Sequence, residues 1–505
     1  MIKKINKNTF FGGALILTAS ITVSKIMGMF YRLPLANVLG SFGLGLYQTV
    51  FPVYALFVCI GSSSVTVAVS RCVAKYNATG DFVKVKGTLD SATLFSCAFT
   101  VVSASLLFAF SPQIARLQGV KQASTLYKCI APSIIFAGFS GVIKGYFQGL
   151  MDMTPTALSE IVSQSAKPLL GLALSTFFKD TFMKAVFAVL SITFSELTAF
   201  LLLLLTYVYD RKTKKTVALT KRGNVDFYKT LLPVTLGGLL LPLSNAVDSF
   251  LVINALKTYT EHAVGLYGMF TGVCLTVLSI PASLSYGLAT AILPSVAALN
   301  GNGQTAKAKK GEYFALTLTV YVALPIAVFI YFFAPNVLSL LFKAGAFSRF
   351  SEIVVMIKLA TPYAVLLPVL STANAVLYGK GKEKVPLISL CAGVFVKTAT
   401  EIILLKYPEL NVFGYIIAVD VCYILAVFCD LVYIIRDVKF IIFTLKTAIL
   451  SFIAVYTGYA ITGLFGFAVS VVFTGLIYLA GTVVLKPYGK QELDSLLKRF
   501  AKRNT

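Results

Sequence analysis

The chain has 505 residues, of which 57% are hydrophobic and only 13% charged, and no water-soluble domain of this length needs so large an apolar share to fill its core. A formal charge of +24 would suit nucleic acid, but Lys and Arg gather in alternate loops rather than on one amphipathic face. Membrane topology therefore explains the charge, no nucleic-acid partner is called for, and the repeated apolar runs predict an all-α integral membrane protein.

The first apolar run starts near Phe10 and is too long, with no small-residue cleavage site after it, for a cleaved signal peptide. At about 20 residues per crossing, the sequence predicts fourteen spans. They fall at 10–33, 44–68, 88–110, 124–147, 155–178, 184–208, 229–256, 264–298, 312–333, 354–379, 385–406, 411–435, 441–463 and 467–486. The eighth is long enough to break at Pro281. Basic residues favour one set of alternate loops, for example Arg71, Lys75, Lys84 and Lys86, then Arg211 to Arg222, then Lys380, Lys382 and Lys384. Short cytoplasmic loops retain Lys and Arg, so both termini are expected on the cytoplasmic side of a bacterial cytoplasmic membrane. The eight cysteines lie mostly inside apolar runs with no C-x-x-C pair, and His262 stands alone in a polar turn, so neither a metal nor a catalytic centre is expected.

Landmarks recur along the chain. "GLGLYQ" at Gly43 returns as "AVGLYG" at Ala263, which sets Gly45 against Gly265, and 265 − 45 = 220. Ala131-Pro132 returns as Thr361-Pro362, shifted by 230, and Pro155 as Pro386, shifted by 231. The offset predicts two parallel six-helix lobes, 1–210 and 225–436, then helices 13 and 14 over 440–486 and a basic cytoplasmic tail over 487–505. Between the fourth and fifth spans, Gly145 and Gly149 are read as ending one helix and Pro155 as opening the next; the turn before Pro386 matches it.

Ionisable side chains inside spans are costly and face an interior. The candidates are Lys25 and Arg32 in helix one, Glu160 and Lys167 in helix five, Glu196 in six, Asp248 in seven, Lys397 and Glu401 in eleven, and Asp420 in twelve. Lys167 and Lys397 stand 12 and 11 residues after the matched prolines, pointing to a cationic cavity. The 220 shift sets Lys25 against Asn245 and Gly28 against Asp248, so the first lobe is basic where the second is acidic. An anionic head group suits the first and a coupling cation, Na+ or H+, the second. Plain pairing, Lys397 with Glu401 or Lys25 with Asp248, is the structural alternative.

The stretches "SKIMGMFYRLPLANVLGSFGLGLYQ", "APSIIFAGFSGVIKGYFQGLMDMTPTALS", "LPVTLGGLLLPLSNAVDSFLV" and "LSIPASLSYGLATAILPSVAAL" resemble the stage V sporulation protein B branch of the polysaccharide flippases. These are MurJ-like relatives of the lipid II flippases in the multidrug/oligosaccharidyl-lipid/polysaccharide (MOP) superfamily. The resemblance implies two MATE-like lobes about a central cavity, a polyprenyl-tail groove at helices 13 and 14, and translocation of an undecaprenyl-pyrophosphate-linked saccharide by alternating access. Peptidoglycan precursor lipid II is the leading cargo, with membrane lipids and cell-wall synthesis proteins as partners. It further implies that Lys25, Arg32, Lys167 and Lys397 attract pyrophosphate while Tyr31, Gln148 and Glu160 line the path, and that Asn245, Asp248 and Asp420 serve cation coupling. The chain departs from the family pattern at Glu160, Ser163 and Lys167, which stand in Gln, Glu and Arg places. The alternatives are a cation-coupled multidrug exporter and a flippase for another lipid-linked polysaccharide. A membrane enzyme is disfavoured, because no long extracytoplasmic loop and no convergent acid, base or nucleophile set is present.

Overall fold

Apolar runs in a bilayer must satisfy their own backbone groups, so this sequence forms helices wherever it is not interrupted by glycine, proline or a short polar turn. The computed structural model describes residues 10–213, 225–283, 305–342, 347, 349–435 and 438–485; the basic linker after the sixth predicted span and the tail at 487–505 lie outside them. Among the described residues no strand occurs.

In chain order, α1 is Phe10–Val58, followed by a π-helical turn at Cys59–Ser63, α2 Ser64–Ala78, α3 Phe82–Ala109, α4 Ser111–Leu117, α5 Ala123–Gly149, α6 Thr154–Thr176 and α7 Thr181–Thr213. After the linker come α8 Val225–Gly238, α9 Leu240–Lys257, α10 Ala263–Gly268, a second π-helical turn at Met269–Cys274 and α11 Leu275–Leu278. Then follow α12 Thr305–Phe332, α13 Ala334–Leu341, α14 Phe350–Leu359, α15 Thr361–Gly379, α16 Lys384–Leu404, α17 Phe413–Ile434, α18 Lys439–Ala460 and α19 Thr462–Leu485.

Ten described helices are long and apolar enough to cross a membrane, or eleven if α8 and α9, bent by 44°, form one span. The difference from fourteen falls at three places. The first two predicted spans run on through α1, broken only at Gly40 (φ 64°). The predicted fifth span, α6, carries Glu160, Lys167 and many hydroxyls, the composition of a helix facing a polar interior. The predicted eighth span is described only as far as Ser283 and turns at Ser279, two residues before Pro281.

Two compact units make up the chain. One gathers Met1–Thr276 with Phe342–Ile353 and Val394–Ala418; the other gathers Val277–Leu341, Val354–Gly393 and Val419–Thr505. In the first, Val65, Val69 and Val73 of α2 form a core with Val142 of α5 and Phe227 of α8. Asp81 caps α3: the Lys84 side chain and backbone N–H hold its carboxyl below the usual carboxylate range. In the second unit, Leu316 and Val320 of α12, Ala373 of α15, Ala426 of α17 and Phe443 of α18 form the core. There, α19 bends at Gly466 (φ 79°), and Tyr478 donates to the Tyr321 carbonyl at 2.8 Å, tying α19 to α12.

The glycines of α5 do more than the sequence reading gives them. Gly149 is the last residue of the helix, as expected, while Gly145 lies within it, and with Gly141 they form a small-residue stripe. A methyl at Gly141 would come within 2.7 Å of the Ser62 carbonyl, at Gly145 within 2.7 Å of Val69, and at Gly149 within 2.6 Å of Val73. They let α5 approach α2 closely, which is how apolar helices associate where no hydrophobic force separates helix from lipid. Two residues past the helix end the chain turns at Met151 (φ 62°), and Pro155 occupies the first turn of α6 as expected.

The turn 230 residues downstream has the same backbone. Met151 N–H donates to the Gln148 carbonyl and Asp152 N–H to Phe147; Gly381 N–H donates to Tyr378 and Lys382 N–H to Leu377. Each is a Schellman-type ending with its left-handed residue at position 151 or 381. Gly381→Ala, which meets no neighbouring atom, should lower stability by about 1 kcal/mol through conformation alone. Met151→Gly should lose nothing, since it relieves the same strain; thermal midpoints in detergent check both.

The landmark glycines also meet. A Cβ on Gly45 of α1 would strike the Val264 carbonyl, and one on Gly268 of α10 would strike the Gly45 backbone. Gly45→Ala and Gly268→Ala should each cost about 1–3 kcal/mol by overpacking. Gly237→Ala, facing open space, should cost nothing by the same thermal assay.

Candidate functional site

Three helices of the first unit bring four charges together. Lys144 lies on α5, Glu160 and Lys167 on α6, and Glu196 on α7. Lys144 Nζ is 2.5 Å from Glu160 Oε1, and Lys167 Nζ is 3.7 Å from Glu196 Oε1. The four sum to zero, which lowers the cost of holding them among apolar helices. None is sealed: their side chains remain 16–32% exposed, so they line a surface that another charged group can reach. The first pair is a hydrogen bond. The second is longer than one, which leaves the Lys167 ammonium N–H groups able to engage a stronger acceptor.

Tyr31 is buried, with its hydroxyl 3.4 Å from Ser191 Oγ and its ring end beside Gly171, where a side chain would collide with it. Its neighbour Arg32 is exposed, and Gln148, one residue before the end of α5, is half-buried. Lys25 belongs to α1, but its side chain lies outside the described residues.

A second cluster is sealed. Lys397 of α16 donates to Asp248 Oδ2 and to Ser244 Oγ of α9, both at 2.6 Å. Glu401, one turn further along α16, has Oε1 at 3.8 Å from the same ammonium. Tyr415 of α17 donates to Asp248 Oδ2 at 3.2 Å, and its ring packs against Tyr267 and Phe270. Side-chain exposure is 6% for Lys397, 1% for Asp248 and 0% for Glu401. Asp248 Oδ1 and both Glu401 oxygens have no hydrogen-bond partner among the described residues.

The structure thus joins Asp248 and Lys397, to which the sequence reading assigns opposite roles, keeps Glu401 beside Lys397 as the pairing alternative has it, and adds Ser244 and Tyr415. Asn245 does not join them: it is exposed, and Ser244 is the residue of that turn that faces Asp248. Asp420 is buried in the second unit, against the Tyr363 backbone. That unit also buries Glu312, 2.6 Å from Lys380, and Asp430, which accepts from Ser389 at 2.6 Å. Lys144 was absent from the sequence candidates, although "GVIKGYFQG" shows a lysine inside an apolar run. Among the described residues, no group of three His, Cys, Asp or Glu side chains is placed to hold a metal ion.

Residues 10–300 match the family described as polysaccharide biosynthesis protein, and residues 233–403 match MatE. Stage V sporulation protein B of Bacillus subtilis (strain 168) is 27% identical over 433 residues, covering 82% of this chain and 81% of that protein. Lipid II flippase MurJ of the same organism is 24% identical over 444 residues, covering 82% and 80%. A structure of lipid II flippase MurJ in an inward closed conformation superposes with a TM-score of 0.74 at 17% identity, over 93% of this chain and 98% of that one. The inward-facing conformation of a multidrug resistance MATE family transporter of the MOP superfamily gives a TM-score of 0.68, also at 17% identity, over 83% and 97%. With a family match across more than half of its length, the chain belongs to the polysaccharide biosynthesis protein family, and it shares along nearly all of its length the fold of a flippase and a transporter.

Proposed function

We propose that the chain is a flippase that carries an undecaprenyl-pyrophosphate-linked saccharide, a peptidoglycan precursor of the lipid II type, across the bacterial cytoplasmic membrane. The observation that carries this reading is the partly exposed charge set of α5, α6 and α7, and above all Lys167, whose ion pair with Glu196 is too long for a hydrogen bond. A pyrophosphate offers more charge and better acceptors than one carboxylate, and it draws Lys most strongly where water is scarce. In this reading Lys25 and Arg32 also attract the pyrophosphate, and Lys144 takes part through Glu160. Binding of the head group exchanges internal ion pairs for external ones, so the empty site stays neutral and the loaded site is held by the cargo. Gln148 and Tyr31 border this path.

The flippase works by alternating access between two six-helix lobes, 1–210 and 225–436, with both termini cytoplasmic and helices 13 and 14 receiving the lipid tail. The shared backbone of the turns at Met151 and Gly381 supports that repeat. Asp248 is the coupling residue, because its cluster holds two carboxylates against one ammonium and therefore takes up a further positive charge.

Purified protein in vesicles supplied with several lipid-linked glycans tests the reading. Lys167→Ala should weaken binding of every pyrophosphate-linked glycan by about tenfold, the loss of one charge-assisted hydrogen bond. Sugar preference should not change; loss of a single sugar type would instead make Lys167 a sugar-reading group. Asp248→Asn should uncouple transport from imposed ion gradients, and full transport with unchanged gradient dependence would remove Asp248 from the coupling role. Export of cationic drugs in place of glycans by the wild type would favour a multidrug exporter.

A further inference from the structure

We infer that the Asp248, Lys397 and Glu401 cluster is a proton site in which the chain's own Lys397 fills the place a metal cation would take, the exchangeable proton lying between Glu401 and Asp248. The inference rests on the reading of Asp248 as the coupling residue and says which cation it couples.

A hard metal ion binds by gathering several oxygens around itself. Here the centre of such a cage is already filled by the Lys397 ammonium, which engages part of the set. Asp248 Oδ2 accepts from both Lys397 and Tyr415, and Ser244 Oγ accepts from Lys397. The ammonium sits where the two carboxylates converge, 2.6 Å from one and 3.8 Å from the other. Three oxygens remain, Asp248 Oδ1 and the pair on Glu401, all sealed from solvent and all without a donor.

Two carboxylates beside one ammonium leave a surplus negative charge in a water-poor site, which like charges at short range do not tolerate. A proton removes the surplus with the least space. Added to the Glu401 carboxylate, it makes a neutral acid whose O–H can turn to the Asp248 carboxyl, since both side chains converge on the same Lys397 ammonium. The step is COO− plus H+ giving COOH, with no change of redox state. The protonated cluster is neutral and the deprotonated one, with the Lys397 ammonium already counted, carries a single negative charge. The other titratable groups facing the site are phenols, Tyr415 of α17 and Tyr267 of α10, with Tyr127 of α5 beyond Tyr267.

The test uses purified full-length protein and reads thermal unfolding in NaCl or LiCl against choline chloride at equal ionic strength. Wild type should show no metal-specific shift. Lys397→Met vacates the cation position while leaving both carboxylates, Ser244 and Tyr415, so Na+ or Li+ should now raise its midpoint by a few degrees, as a newly bound ligand does. Adding Glu401→Gln to that variant should abolish the shift. Na+-specific stabilisation of the wild type, or a monodisperse Lys397→Met protein indifferent to Na+ and Li+, would overturn the inference. Should Lys397→Met fail to fold, Glu401→Gln alone decides: this neutral isostere of the acid should flatten the pH dependence of the midpoint relative to wild type, and equal pH dependence in both would overturn it. Since the readout is stability, it stands apart from the glycan transport that tests the flippase reading.

Discussion

Placing an ionised side chain at mid-bilayer costs about 2.5–3.5 kcal/mol on insertion scales, and the arrangement of this protein follows from that cost. Several of the intramembrane charges among the described residues are met by partners. Lys144 meets Glu160, Lys167 meets Glu196, and Lys397 meets Asp248 and Glu401. The two groups solve the problem differently. The first balances its charges one against one and stays partly exposed. The second is dry and holds two carboxylates against one ammonium. The two groups thus differ in burial and in charge count.

The same medium dictates how the helices pack. Because lipid is as apolar as leucine, close contact must come from shape, and glycine supplies it. The α5 stripe at Gly141, Gly145 and Gly149 seats α2, and the Gly45 to Gly268 contact lets α1 cross α10 backbone to backbone. These close approaches fix where Lys144, four residues before Gln148 on α5, sits relative to the charges of α6 and α7. Packing glycines and charged residues on α5 are therefore parts of one arrangement: the glycine face is held against α2, and Lys144 reaches Glu160.

Much of this was legible in the residues themselves. Apolar runs predicted helices because a bilayer admits no other solution for their backbone, and matching landmarks predicted that the chain would repeat a turn about 230 residues later. Asp248, Lys397, Lys167 and Glu160 were singled out because a charge inside an apolar run is conspicuous. What the sequence could not show was that the glycines near the end of this helix also pack it, since a glycine close to a proline reads first as a helix end. Only the contact with α2 reveals the second part.

Partnership was likewise invisible. Asp248 and Lys397 are 149 positions apart, and a one-dimensional pattern offers a local partner, Glu401, more readily than a distant one. Nor does spacing say whether Ser244 or Asn245 faces Asp248, because a difference of one residue turns a helical side chain by about 100° and the facing direction is set by the neighbouring helix. The sequence by itself determined that the chain crosses a membrane many times and which charges it carries inside, because hydropathy and chain length are sums over residues. Which charges neutralise one another, and which stay partly exposed or sealed, only the tertiary structure decided, because electrostatic energy depends on distance and burial.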